Sequence, residues 1–311
     1  MRNAGGRIAA SSTDTMAKEE RMSEADSAVG PVLQQVFHPS DFTPASEVAF
    51  NHALKAALVA KAELTILHVS PKHELEWTEF PGVRPTLERW GLLPKNSSQR
   101  DVLKLGINIK KVQAKHDDPV ESVTGYLNTH NTDLIVLATD QQKGKVQWLS
   151  RSIAAPIARK SRQMTLFIPK GVEGFVSARD GSVSLTRILV PVAETPAPQP
   201  AIHAAARMAN RLNCSSGIFT ILHVGEKTAM PEVQVPDVPG WSWNTVVQSG
   251  DVVDVISETA AAVKAGLVVL TTEGRNGFLD ALRGSHSERI LQRTPCPLLV
   301  IPASGFMASV V

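Results

Sequence analysis

The chain has 311 residues, enough for about two domains of ordinary size, with 43% hydrophobic and 20% charged residues, which excludes a wholly disordered chain. Lys plus Arg total 32 against 30 Asp plus Glu, so a net charge of +2 gives no bulk attraction to nucleic acid or to an anionic membrane. The longest apolar runs, at 134–138 and 267–270, fall far short of the roughly 18 residues of a membrane span, and two cysteines, Cys214 and Cys296, predict no disulfide framework and fit a reducing cytoplasm. Cys296, between Pro295 and Pro297, reads as a buried structural thiol.

Residues 1–30 are polar and aperiodic and read as a disordered tail. They hold no apolar stretch suited to a secretory signal. Asp14, Glu19, Glu20, Glu24 and Asp26 argue against a transit peptide, and Met16 and Met22 are further candidate starts. VLQQVF (32–37) is a short strand. Thr43-Pro44 then opens a helix to about residue 60, with Thr as N-cap and Pro in the first turn. LTILHV (64–69) is a strand, and residues 70–100 form an insertion containing Trp77 and Trp90. INIKKV (107–112) is a strand, Asp118-Pro119 opens a helix, DLIVLA (133–138) is an apolar strand, 148–162 a helix and TLFIP (165–169) a closing strand.

Residues 171–186 are rich in Gly and Ser and read as a linker. The pattern then repeats: RILVPV (187–192), a helix over about 200–212, FTILHV (219–224), NTVVQ (244–248), a helix 252–264, GLVVLT (266–271), a helix 285–293 and LLVIP (298–302). Residues 304–311 are a tail. Strands apolar on both faces, alternating with helices, imply parallel sheets covered on both sides. The expected fold is α/β: two tandem five-stranded parallel open sheets with helices on both faces, one over 31–170 and one over 187–303. The five tryptophans (77, 90, 148, 241, 243) read as packing of the insertions over the sheet.

Ligands of such sheets sit beyond the carboxyl ends of the strands, where strand order reverses. There the second half reads Thr271-Thr-Glu-Gly274-Arg-Asn-Gly277, continuing to Gly284-Ser285-His286-Ser287-Glu288. Glycines ahead of a helix let backbone amides approach phosphate oxygens, and Arg275 and Arg283 add charge. The same residues also read as a plain capping box, Ser285 with Glu288.

On these strings, and on RILVPV, ILHV and GDVVDVI (250–256), the region 31–303 resembles two tandem universal stress protein domains. Members that bind ATP share G-x2-G-x9-G-[S/T] after the fourth strand. Gly274, Gly284 and Ser285 fit it, Gly277 is an extra glycine, and Thr271 replaces the first glycine. The resemblance implies an adenine and ribose site at the turn Pro191-Val192-Ala193, with Ala193 in place of the family's Asp, and at Val224. His286 and Ser287 would face the phosphates, and Glu273 a phosphate or magnesium ion. The implied ligand is ATP or a related adenine nucleotide, with magnesium. The first half keeps an Asp at Asp41, but Ala138, Gln141 and Arg151 replace its three loop glycines. Lys143, Lys145 and Arg151 read as either an anion site or a solvated loop, and Asp41 as either a ligand group or a support for the turn.

His68 and His223 share one repeat position and read as hydrogen-bonded core histidines rather than zinc ligands. Three functions stay open. One is a regulatory nucleotide-binding protein with at most slow hydrolysis, acting on protein partners or as a homodimer. The second is a stress-response scaffold without nucleotide. The third is an α/β enzyme, for which no paired carboxylate or Ser-His-Asp order speaks. The closing strands TLFIP and LLVIP resemble those through which such domains pair, so the halves are expected to meet there.

Overall fold

The structure, a computed structural model, describes residues 33–70, 78, 80–116, 118–139, 163–272, 290–291 and 293–303. In chain order these form β1 (Gln35–Pro39), α1 (Pro44–Ala60), β2 (Glu63–Val69), α2 (Val83–Arg89), α3 (Gln99–Lys104), β3 (Asn108–Ala114), α4 (Pro119–Thr129), β4 (Leu134–Thr139), β5 (Met164–Pro169), β6 (Arg187–Val192), α5 (Gln199–Arg211), β7 (Gly217–Val224), β8 (Trp241–Gln248), α6 (Val252–Ala262), β9 (Leu267–Thr272) and β10 (Leu298–Pro302). The helix expected over 148–162 and both tails lie outside the described residues. Of that expected over 285–293, residues 290, 291 and 293 are described, and they are helical.

Helix starts follow the side chains that satisfy their free amides. Thr43 Oγ1 accepts from Ser46 N at 3.3 Å. Asp118 Oδ1 accepts from Val120 N and Glu121 N at 2.7 and 3.2 Å. Asp251 Oδ1 does the same for Val253 N and Asp254 N. Such caps stabilise a helix by about 1 kcal/mol each.

Each half supplies five mutually parallel strands, as expected, but the two sets are not separate sheets. They form one sheet in the order β3-β2-β1-β4-β5-β10-β9-β6-β7-β8. The join is the antiparallel pair β5–β10, with Leu298 opposite Phe167, Leu299 opposite Leu166 and Val300 opposite Thr165. The halves therefore meet through TLFIP and LLVIP. Central strands β4, β9 and β10 are buried at every residue. The outermost strands β3 and β8 have no fully buried run, as edge strands should. One face packs Leu64, Ile66, Val190 and Ile221 against Phe50 and Leu54 of α1 and Ile202 of α5. The other packs Leu67, Leu189 and Leu222 against Val123 of α4 and Val253 and Ile256 of α6. Each core layer runs through both halves.

The linker is not a free coil. Phe175, Val176 and Leu185 are buried, and Val176 bridges to Val183. His52 of α1 donates from Nδ1 to Val48 O at 2.8 Å. Its Nε2 accepts from the amides of Phe175 and Val176 at 3.1 and 3.3 Å. Gly174 allows this approach: its φ is +72, and a Cβ there would stand 2.4 Å from the imidazole. From the insertion, Arg89 Nε and Trp90 Nε1 both donate to Ala178 O. The insertion thus holds α2, with α3 beginning at its end, and grips the linker. Trp241 and Trp243 flank Phe219 at the start of β8, with ring centroids 4.4 and 4.1 Å away. Trp90 packs the insertion against the linker, while Trp241 and Trp243 pack from β8 itself rather than from an insertion; Trp77 and Trp148 lie outside the described residues.

Candidate functional site at the strand-order reversal

In the second half β6 lies between β7 and β9. It pairs with β7 as far as Val192 opposite His223. With β9 it pairs only at Ile188–Leu267 and Leu189–Val268, although both strands run on. The carboxyl ends of β6 and β9 therefore part, and a crevice opens at the reversal point, where open parallel sheets take their ligands. The first half repeats this, with β1 paired to β4 only at Val36–Leu134 and Phe37–Ile135.

Five of the expected site residues are described, at or beside the carboxyl ends of β6, β7 and β9. Pro191 and Val192 end β6, Ala193 follows and is exposed, Val224 ends β7, and Thr271 lies near the end of β9. Gly274, Gly277, Gly284, Ser285, His286 and Ser287 lie outside the described residues, as do Glu273, Arg275 and Arg283. Thr271 has a use of its own: its buried Oγ1 accepts from Ala201 N at 3.2 Å. Helix α5 starts after Pro198, which offers no side-chain acceptor, so Thr271 caps it from the neighbouring strand. The residue that departs from the glycine pattern is thereby explained by helix capping.

Two buried polar atoms here have no hydrogen-bond partner among the described residues: Thr272 Oγ1 and His223 Nε2. Thr139, which matches Thr272 in the repeat, has an unpartnered hydroxyl too. Buried groups of this kind cost the fold about 1–3 kcal/mol each unless something meets them.

The first crevice is differently furnished. His38 is fully buried and donates from Nδ1 to Val136 O at 3.0 Å, joining β1 to β4 across the gap. Burial pushes its pKa down to about 4, only partly offset by that carbonyl. Asp41 accepts from the amide and hydroxyl of Thr43 at 3.0 and 2.7 Å, so it supports the turn before α1. Phe42, at φ +61, lies flat on His68 at 4.1 Å between ring centroids, and Phe80 meets Phe42 edge-on. His68 and His223 are the core histidines expected. Each is buried, and each donates from Nδ1 to a carbonyl at the end of its half's first strand, Ser40 O just after β1 at 2.7 Å and Val192 O closing β6 at 3.3 Å. Sequence reasoning missed His38, Phe42 and the paired threonines. The repeat held one signal for them: His38 falls where the second half has Val190, and Phe42 where it has Glu194.

The family model described as the Universal stress protein family matches residues 34–169 and 238–302. The chain belongs to the universal stress protein family. The stretch between the two matches includes Pro191–Ala193 and Val224. The chain is similar in fold to a universal stress protein from Archaeoglobus fulgidus DSM 4304, at 15% identity and TM-score 0.54, covering 86% of this chain and 98% of that one. It is also similar to a functionally unknown protein from Pseudomonas aeruginosa PAO1, at 12% identity and TM-score 0.52, covering 89% and 95%. No curated protein matches the chain. Among the described residues no group of His, Cys, Asp and Glu is arranged to hold a metal ion, and no helix is long and apolar enough to cross a membrane.

Proposed function

We propose that this universal stress protein is a regulatory protein that binds ATP, or a related adenine nucleotide with its magnesium, in the second half. One observation carries the reading. Of two crevices built alike, the first is bridged by His38, has its Asp committed to a turn and keeps one hydroxyl, Thr139, unpartnered among the described residues, whereas the second has Val190 in place of His38 and keeps two such buried atoms, Thr272 Oγ1 and His223 Nε2. Those atoms suit a polar ligand: a hydroxyl on β9 beside the glycine loop and a ring nitrogen on β7 beside the base end. Nucleotide binding shifts the protein's conformation or its contacts with regulatory partners in the cytoplasm, a compartment that suits free Cys214 and Cys296.

The scaffold reading has an observation in its favour as well. Where the family pattern has a glycine, Thr271 places a buried side chain that is bonded to Ala201 N. Mass spectrometry of gently purified protein, with titration calorimetry of ATP, decides between them. The nucleotide reading expects micromolar binding, one nucleotide per chain, lost in Gly284→Arg. Absence of binding at millimolar ATP in folded protein establishes the scaffold.

A further inference from the structure

We propose that His223 reads the base of the bound nucleotide, accepting a hydrogen bond from its amino group. This inference rests on the nucleotide reading above and deepens it. The ring sits at the base end of the crevice, paired across the strands with Val192 and followed by Val224. A carbonyl oxygen only accepts, so the contact to Val192 O requires the proton on Nδ1. Nε2 then holds a lone pair. That atom is buried, has no partner among the described residues, and faces Gly225, where a Cβ would come within 3.2 Å. Gly225, at φ +145, brings no side chain against this nitrogen.

An unmet acceptor calls for an N–H donor. In an adenine nucleotide the 6-amino group is the sole N–H donor of the base. Inosine nucleotides carry an oxygen there, which would face the Nε2 lone pair with another acceptor. The matching histidine of the first half is engaged differently: Phe42 covers the face of His68, with Phe80 beside it. In the second half Glu194 occupies the position of Phe42 and is exposed. The asymmetry assigns base reading to one half.

The test titrates ATP and inosine triphosphate into the intact chain, as wild type, His223→Phe and His68→Phe. Wild type is expected to prefer ATP by about tenfold or more. His223→Phe should bind ATP about tenfold more weakly and lose the preference, while His68→Phe retains it. Equal affinity of wild type for the two nucleotides overturns the role of His223 and leaves nucleotide binding standing. Failure of both to bind wild type overturns both proposals. The wild-type comparison needs no variant to fold.

Discussion

Two buried histidines set how the first half responds to acid. His38 and His52 are both held neutral, with pKa values pushed down to about 4 by burial. In the unfolded chain each titrates near 6.5. Below that pH the unfolded state takes up protons that the folded state refuses, so stability is full above about 6.5 and falls as the pH drops toward 4. Each histidine contributes about 3 kcal/mol to that loss. Urea unfolding at pH 7.5, 6, 5 and 4 should show a steady decline, and His38→Leu should flatten part of it. His52 has a second effect, because its Nε2 serves two linker amides. His52→Ala leaves both buried without an acceptor. It should cost about 2–4 kcal/mol in urea unfolding and speed hydrogen exchange at Phe175 and Val176.

At the scale of elements, Thr271 links β9 to the start of α5. Thr271→Gly removes that cap and should destabilise the protein by about 1 kcal/mol in thermal unfolding. It also restores the glycine of the family pattern, so ATP affinity should rise, as read by calorimetry. Strands and capped helices were legible beforehand because their signals are local: apolar runs such as 134–138 and N-caps such as Asp118 lie within a few residues of what they determine. The start of β8 was placed three residues late, since Trp241-Ser-Trp243 alternates at an edge and shows no continuous apolar run. Helix α2 was hidden in a stretch broken by Pro81, Pro85 and Pro94, and the six-residue α3 is too short to show a helical period. The docking of the linker was hidden for another reason. His52 meets Val176 across 124 positions, and only folding brings them together. The first crevice was illegible in the same way, His38 and Val136 being 98 positions apart. The second was readable as a location, through the strand order, and as residues only where the family pattern applied.

The described residues form one sheet with two core layers that cross its midline. Its halves should therefore unfold together. Variants keeping only Trp90, or only Trp241 and Trp243, should give coincident urea transitions by fluorescence. Two separated midpoints would show the β5–β10 seam to be weak. That seam also occupies the strand edge at the end of each half, which leaves β3 and β8 as the outer strands among the described residues. Strand pairing through β5 and β10 inside one chain has a further result. Separate subunits joined along such a seam exchange mates and sort by concentration, whereas covalently tied ones keep the same mate for life. The half bridged by His38 always stands beside the half without that bridge, at a ratio of one to one whatever the abundance of the protein. Lopsidedness is written into every copy without any assembly step.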